Sequence, residues 1–217
     1  QNLTGRNVVL GFADTGIDYR NPVFRREDGS TRILAIWDQS VQTGTPPDGL
    51  IYGSEYTREQ INEALQLDNP LELVPVTDDI GHGTAMASAA AGSALNGGID
   101  FLGAAPEADI VVVKLKQAKQ FLRDYYMTPP GVPAYGTNDI MLAVKYLSSF
   151  CIPFHRPAVI CLGVGSSFGI IPETPRCPST FPPLGHRLTR WWREAIILPI
   201  ISADILMVPV LSMWRYG

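Results

Sequence analysis

The sequence predicts an α/β domain built on a mainly parallel sheet, and three observations carry that expectation. Short, largely apolar runs recur at Val8–Ala13, Asp109–Leu115 and Pro157–Gly163, as strands buried on both faces of a parallel sheet require. Helix-forming stretches lie between them, so strand and helix alternate in the order of βαβ units. With 46% hydrophobic and 18% charged residues over 217 positions, the chain is globular and long enough for one substantial core.

The first run ends at Asp14-Thr-Gly-Ile-Asp18, where Gly16 permits a tight turn and Asp18 is expected to stabilise it. A second strand is expected from Arg32 to Trp37. Ser40 to Pro75 is rich in breakers and reads as loop. Inside it, Thr57 and Gln60 stand three residues apart as a capping box, opening a helix to about Leu67. Gly81-His-Gly-Thr84 leads into the small-residue helix Ala85–Ala91, with Gly92 as its stop. Small side chains let a helix lie close to its neighbours, which suits an element in the middle of a domain. Apolar residues at Ile140, Met141, Val144 and Leu147 mark a last helix between Asn138 and Phe150. No internal repeat occurs.

After Gly169 the composition breaks. Ile170–Gly217 holds seven of the 18 prolines and three of the four tryptophans, but two of the 20 glycines and no lysine. The expected organisation is therefore a domain over residues 1–169 and an atypical tail over 170–217, produced by truncation or a shifted reading frame. The tail's apolar stretch from Ala195 to Trp214 approaches membrane-spanning length, but Pro199, Asp204 and Pro209 interrupt it, and no membrane partner is expected. The net charge of −4, without a Lys/Arg block, argues against a nucleic-acid groove. Cys151, Cys161 and Cys177 have no CxxC spacing, which argues against a zinc site or a disulfide framework. An opening at Gln1 with no signal-peptide pattern suggests a chain that starts inside a longer protein.

Two residues stand where chemistry is expected. Asp14 follows the first strand, at the edge of a parallel sheet where functional groups gather. His82 opens a helix, where the positive end of the dipole favours a neutral imidazole, the resting form of a general base. Gly81 and Gly83 leave room around it. An aspartate that orients a histidine, and a histidine that takes a proton from a serine, make two-thirds of a catalytic triad. Plainer roles stand beside these. Asp14 could cap a turn. The Asp14-Thr-Gly16 triplet also marks aspartic peptidases, but a second copy for their carboxylate dyad is missing. A nucleotide-binding turn lacks its Gly-x-Gly-x-x-Gly run. Asp78 and Asp79 read as solvated turn residues, Lys114 and Lys116 as surface charges, Cys161 as a small core residue and His155 as a loop residue.

At these residues a resemblance becomes specific. Val9-Leu-Gly-Phe-Ala-Asp14-Thr-Gly-Ile-Asp18 resembles the aspartate motif of subtilisin-like serine peptidases, and Gly81-His82-Gly-Thr84-Ala-Met-Ala87 resembles their histidine motif. Ile160-Cys-Leu-Gly163 is similar to the strand that lines their substrate cleft. The stretches from Ile36 through Leu65 and from Val111 through Tyr126 resemble the Csp-type germination peptidases of clostridia. The resemblance covers about residues 3 to 169. It implies a three-layer α/β/α fold and a serine endopeptidase that cleaves polypeptides through an acyl-enzyme. Asp14 and His82 would be catalytic, with Cys161, Leu162 and Gly163 holding the substrate backbone by β-augmentation. No cofactor is implied; structural calcium is common in the family, but no loop here is acidic enough to name ligands. A secreted, envelope or spore-associated location is implied in the same way.

The sequence departs from the family in ways that bear on activity. Ala85 stands where many relatives carry a second histidine, and Ser88 replaces a common glycine. The family's Ala-Ala-Gly-Asn segment, which supplies the oxyanion asparagine, does not occur, nor does the Gly-Thr-Ser-x-Ala-x-Pro segment with the nucleophile. Ser166, Ser167, Ser179, Ser202 and Ser212 lack that context. The chain as written is therefore expected not to hydrolyse peptides, and a catalytically dead peptide-binding or regulatory module is the alternative.

Overall fold

A computed structural model describes residues 3–94, 102–150 and 156–164, together with the backbone of 206–210. Six strands form one sheet: β1 (Val9–Asp14), β2 (Ile33–Asp38), β3 (Ser54–Thr57), β4 (Asp109–Lys114), β5 (Ala158–Leu162) and β6 (Leu206–Val210). Their order is β3-β2-β4-β1-β5-β6. The four central strands are mutually parallel, while β3 and β6 pair antiparallel at the two edges. The helices are α1 (Arg58–Ala64), α2 (His82–Ala91), α3 (Gln120–Tyr125) and α4 (Thr137–Ser149).

Because strand side chains alternate, each central strand supplies two cores. Leu10, Phe12, Ile110 and Val112 point to the face covered by α1 and α2, where Ile61, Ala64, Ala87 and Ala91 close the layer. Val9, Ala13, Val111 and Val113 point to the other face, against Ile140, Ala143, Tyr146 and Leu147 of α4. This is the expected α/β/α arrangement. It explains why β1 reads as an apolar run rather than an alternating one: all six of its residues are buried.

The strands and helices expected from the sequence are found within a residue or so, with four differences. The capping box at Thr57 forms as expected, with Thr57 accepting from the Gln60 amide and Gln60 from the Thr57 amide. However, α1 ends at Ala64 rather than near Leu67, because Gln66 and Leu67 turn back to Glu63 and Ala64 and tighten the last turn. Strand β3 lies inside the segment expected to be loop, and α3 follows β4 where no element was expected. Ser54–Thr57 is only four residues long, too short to show a period, and α3 buries none of its residues. Of the tail, Leu206–Val210 forms edge strand β6, where Pro209 is tolerated opposite Val159. The remainder of the tail, with Cys177, His186 and Ser179, lies outside the described residues, as do Cys151, His155, Ser166 and Ser167. Among the described residues no helix is long and apolar enough to cross a membrane.

The amino-terminal edge of the parallel strands is held by charge. Asp109 receives Arg26 at 2.7 Å, Arg58 at 3.0 Å and Arg156 at 2.8 Å, so one carboxylate ties three separate segments to the start of β4. Arg32 is buried nearby at 4% exposure, and donates to the carbonyls of Ala108, Val23 and Ala91. Ala91 is the last residue of α2, so the guanidinium sits at the negative end of that helix. Burial pulls its pKa down to about 10, which still leaves it charged at neutral pH. Arg32→Met would strip buried carbonyls of their donor. A loss of about 2 kcal/mol is expected in urea unfolding, with only partial recovery in Arg32→Lys.

Candidate active site

The carboxyl edge of the sheet is built differently. Asp14 is the last residue of β1 and 1% exposed. Its Oδ1 accepts the Thr15 amide at 2.7 Å and faces His82 Nδ1 at 2.8 Å. A carboxylate at that distance accepts from Nδ1–H, which leaves the lone pair of a neutral ring on Nε2. The imidazole side chain is 30% exposed, so the couple reaches from the core to solvent. Asp14 Oδ2 has no hydrogen-bond partner. Burial is the main influence on this carboxyl and raises its pKa above the ordinary range, against the opposing pull of His82 and the Thr15 amide.

Glycines set the distances. Gly81, the residue before α2, has φ 82°, a left-handed conformation that turns the chain sharply into the helix. A Cβ on Gly83 would lie 2.2 Å from the Gly16 carbonyl and 3.1 Å from Asp14 Cβ, so the start of α2 comes as close to the end of β1 as backbone allows. A Cβ on Gly163 would lie 1.5 Å from Asp14 Oδ2. The amide of Gly163 donates to the Ala13 carbonyl at 3.0 Å, which locks it beside the aspartate.

Asp14, His82 and Gly163 are thus brought together. Cys161 and Leu162 direct their side chains into the two core layers, which leaves only their backbones for the expected substrate contact. The Cys161 side chain is 5% exposed in the α1/α2 core, where burial first and the Asp14 charge second push its thiol up. The Leu162 side chain belongs to the opposite layer. Their backbones pair with β1 on one edge and β6 on the other, so an extended peptide could pair there only if β6 gave way. Gly163 is the first residue beyond the ladder.

The sequence reading missed the residues that hold the helix start. Asp78 is not a solvated turn residue. Its Oδ1 accepts from the Thr15 hydroxyl at 2.7 Å and the Gly81 amide at 2.9 Å, and its Oδ2 from the Thr84 amide at 2.8 Å and hydroxyl at 2.7 Å. Burial works to raise its pKa, but these bonds outweigh it and hold the carboxyl below the ordinary range. Thr15 Oγ1 also accepts from the Gly83 amide at 3.0 Å, and Thr84 Oγ1 from the Asp18 amide at 2.9 Å. The signal was available: a glycine at the N-cap offers no side chain to the first helical amides, so an acceptor must come from elsewhere. Asp79, in contrast, is exposed. Lys114 and Lys116 are not free surface charges either. Lys114 donates to the Thr77 carbonyl at 2.7 Å, while Lys116 pairs with Asp139 and lies 3.9 Å over the Tyr52 ring. Among the described residues, no group of three or more His, Cys, Asp or Glu side chains is placed to hold a metal ion.

A buried aspartate joined to a histidine at the carboxyl edge of a parallel sheet has the geometry of a general-base couple, and comparison identifies the family. The family model of the subtilases matches residues 5–167, and the chain belongs to that family. It is 26% identical over 186 residues to the subtilisin-like protease SBT3.5 of Arabidopsis thaliana, which covers 78% of this chain and 22% of that protein. The structure of the CspB protease of Clostridium perfringens superposes with a TM-score of 0.61 at 30% identity, over 78% of this chain and 31% of that one. The chain therefore spans less than a third of the length of either relative.

Two outcomes are expected from this geometry. Gly163→Ala would press a methyl group into Asp14 Oδ2 and cost about 2–3 kcal/mol in urea unfolding. For Asp14, a folded pKa above the unfolded one means that the stability it contributes is full below the unfolded pKa and is lost as pH rises through the folded one. Asp14→Asn should therefore be more stable than the parent at neutral pH, by about 1 kcal/mol, with the advantage vanishing below the carboxylate range in pH-dependent thermal melts.

Proposed function

We propose that the chain supplies the acid–base half of a subtilisin-type serine endopeptidase. The observation that carries this is the 2.8 Å contact between Asp14 and His82 Nδ1, at the end of a buried strand and the start of a glycine-flanked helix. In this reading His82 Nε2 removes the proton from a serine as it attacks the peptide carbonyl. The resulting imidazolium, stabilised by Asp14, then gives that proton to the leaving amine. Water repeats the cycle to release the acyl group. The serine and the oxyanion asparagine belong to a segment that does not occur in these 217 residues. The substrate is an extended polypeptide whose backbone meets the chain at the end of β5, at Cys161, Leu162 and Gly163.

The missing nucleophile motif favours a second reading, a peptide-binding or regulatory module that keeps the cleft without catalysis. A fluorophosphonate probe, which labels only an activated serine, separates the two when applied to the protein with its full coding sequence. A peptidase is labelled, and His82→Ala slows the labelling by roughly 10³–10⁴-fold. No labelling of the intact protein would leave the binding module standing. The 217-residue chain alone is expected to stay unlabelled in either case.

A further inference from the structure

We propose that Asp78 is a positioning residue for His82, acting through the start of α2; the proposal rests on the reading of Asp14 and His82 as the catalytic couple. The geometry forces the hydrogen-bond directions. Thr15 Oγ1 accepts from the Gly83 amide at 3.0 Å, so its single proton is free to go to Asp78 Oδ1, 2.7 Å away. Thr84 Oγ1 accepts from the Asp18 amide at 2.9 Å, so its proton goes to Asp78 Oδ2, 2.7 Å away. The Gly81 and Thr84 amides supply two more donors. Four donors converge on two oxygens, and only a carboxylate can accept from all four.

The result is a ring that closes the gap between the two halves of the site. Thr15 adjoins Asp14 and gives it a backbone amide. Gly83 and Thr84 are the two residues after His82. Asp78 joins them, from a segment that is itself held to β4 by Lys114 through the Thr77 carbonyl. Since Gly81 offers no capping side chain, Asp78 and Thr15 are the caps of α2, placed outside the helix. Their negative charge and acceptor oxygens lie at the positive end of the helix. His82 is the first residue of that helix, so its ring position follows the cap. In Asp78→Asn an amide nitrogen must face two donors on one side, and that half of the ring opens.

The test reads the couple directly rather than through hydrolysis. An imidazole Nδ1 proton bonded to a carboxylate gives a low-field proton NMR signal, recorded on the 217-residue chain well below each variant's melting midpoint. The parent is expected to show the signal, and Asp78→Asn to lose it. Thr15→Val, which removes the link while keeping the carboxylate, is expected to lose it as well. Thr15→Ser, which retains the hydroxyl, should preserve it. Leu147→Ala, destabilised in the opposite layer, should also preserve it, which separates positioning from loss of stability. A signal unchanged in Asp78→Asn or Thr15→Val would overturn the positioning role and leave the Asp14–His82 couple intact. A parent chain without the signal would overturn the couple itself, and the proposal with it.

Discussion

The site depends on a carboxylate placed where water cannot reach it. Asp14 closes a strand whose six residues are all buried, and its second oxygen has no partner. An ionised group in that position is costly unless hydrogen bonds offset its lost hydration. The Thr15 amide and the His82 ring are the two partners it has, both on one oxygen. The approach of Gly83 brings the ring within reach, and Gly163 packs against the other oxygen. The contact at 2.8 Å is thus a consequence of backbone packing in three segments, not of one side chain finding another.

The two edges of the sheet handle charge in opposite ways. At the amino-terminal edge Asp109 is saturated by three arginines, and Arg32 finds carbonyls from three segments. Such saturation fixes segments in place and leaves those groups few ways to change partners. At the carboxyl edge Asp14 and Asp38, which end two parallel strands on either side of β4, each keep a buried oxygen without a partner. Burial, reinforced by the charges of Asp14 and Asp78, pushes the pKa of the Tyr135 hydroxyl up to about 12. The Nε atoms of Arg32 and Arg58 are also buried without a partner, so the contrast between the two edges is one of carboxylates: Asp109 is fully paired, whereas Asp14 and Asp38 are not.

How much of this was legible differs by kind of residue. The central strands announced themselves because burial on both faces needs continuous apolar runs, and α4 because its apolar residues follow the helical period. Asp14 and His82 were legible because each sits at an element boundary, Asp14 two residues before Gly16 and His82 between Gly81 and Gly83. Asp78 was not, since an aspartate near a turn looks the same whether solvated or accepting four bonds; its partners Thr15 and Thr84 lie 63 and six residues away. Leu162 and Cys161 were placed in the right strand, but their alternation sends the side chains into opposite core layers. Strand β3 and helix α3 were hidden by brevity, because four to six residues cannot display a period.

Membership of the subtilase family and the absence of the nucleophile motif meet at one structural point. The aspartate, the histidine and the ring that holds them lie within residues 14–84, with Gly163, just beyond β5, packed against Asp14. That arrangement keeps the base oriented before substrate or nucleophile arrives, which is what preorganisation requires. It also carries an energetic cost, since burial works against the charged form of Asp14. A peptide-binding surface gains nothing from an ionised carboxylate sealed beneath it, whereas a histidine that must become an imidazolium gains a fixed counter-charge. A fixed counter-charge beneath the ring therefore fits the proposed proton transfer better than it fits peptide binding alone.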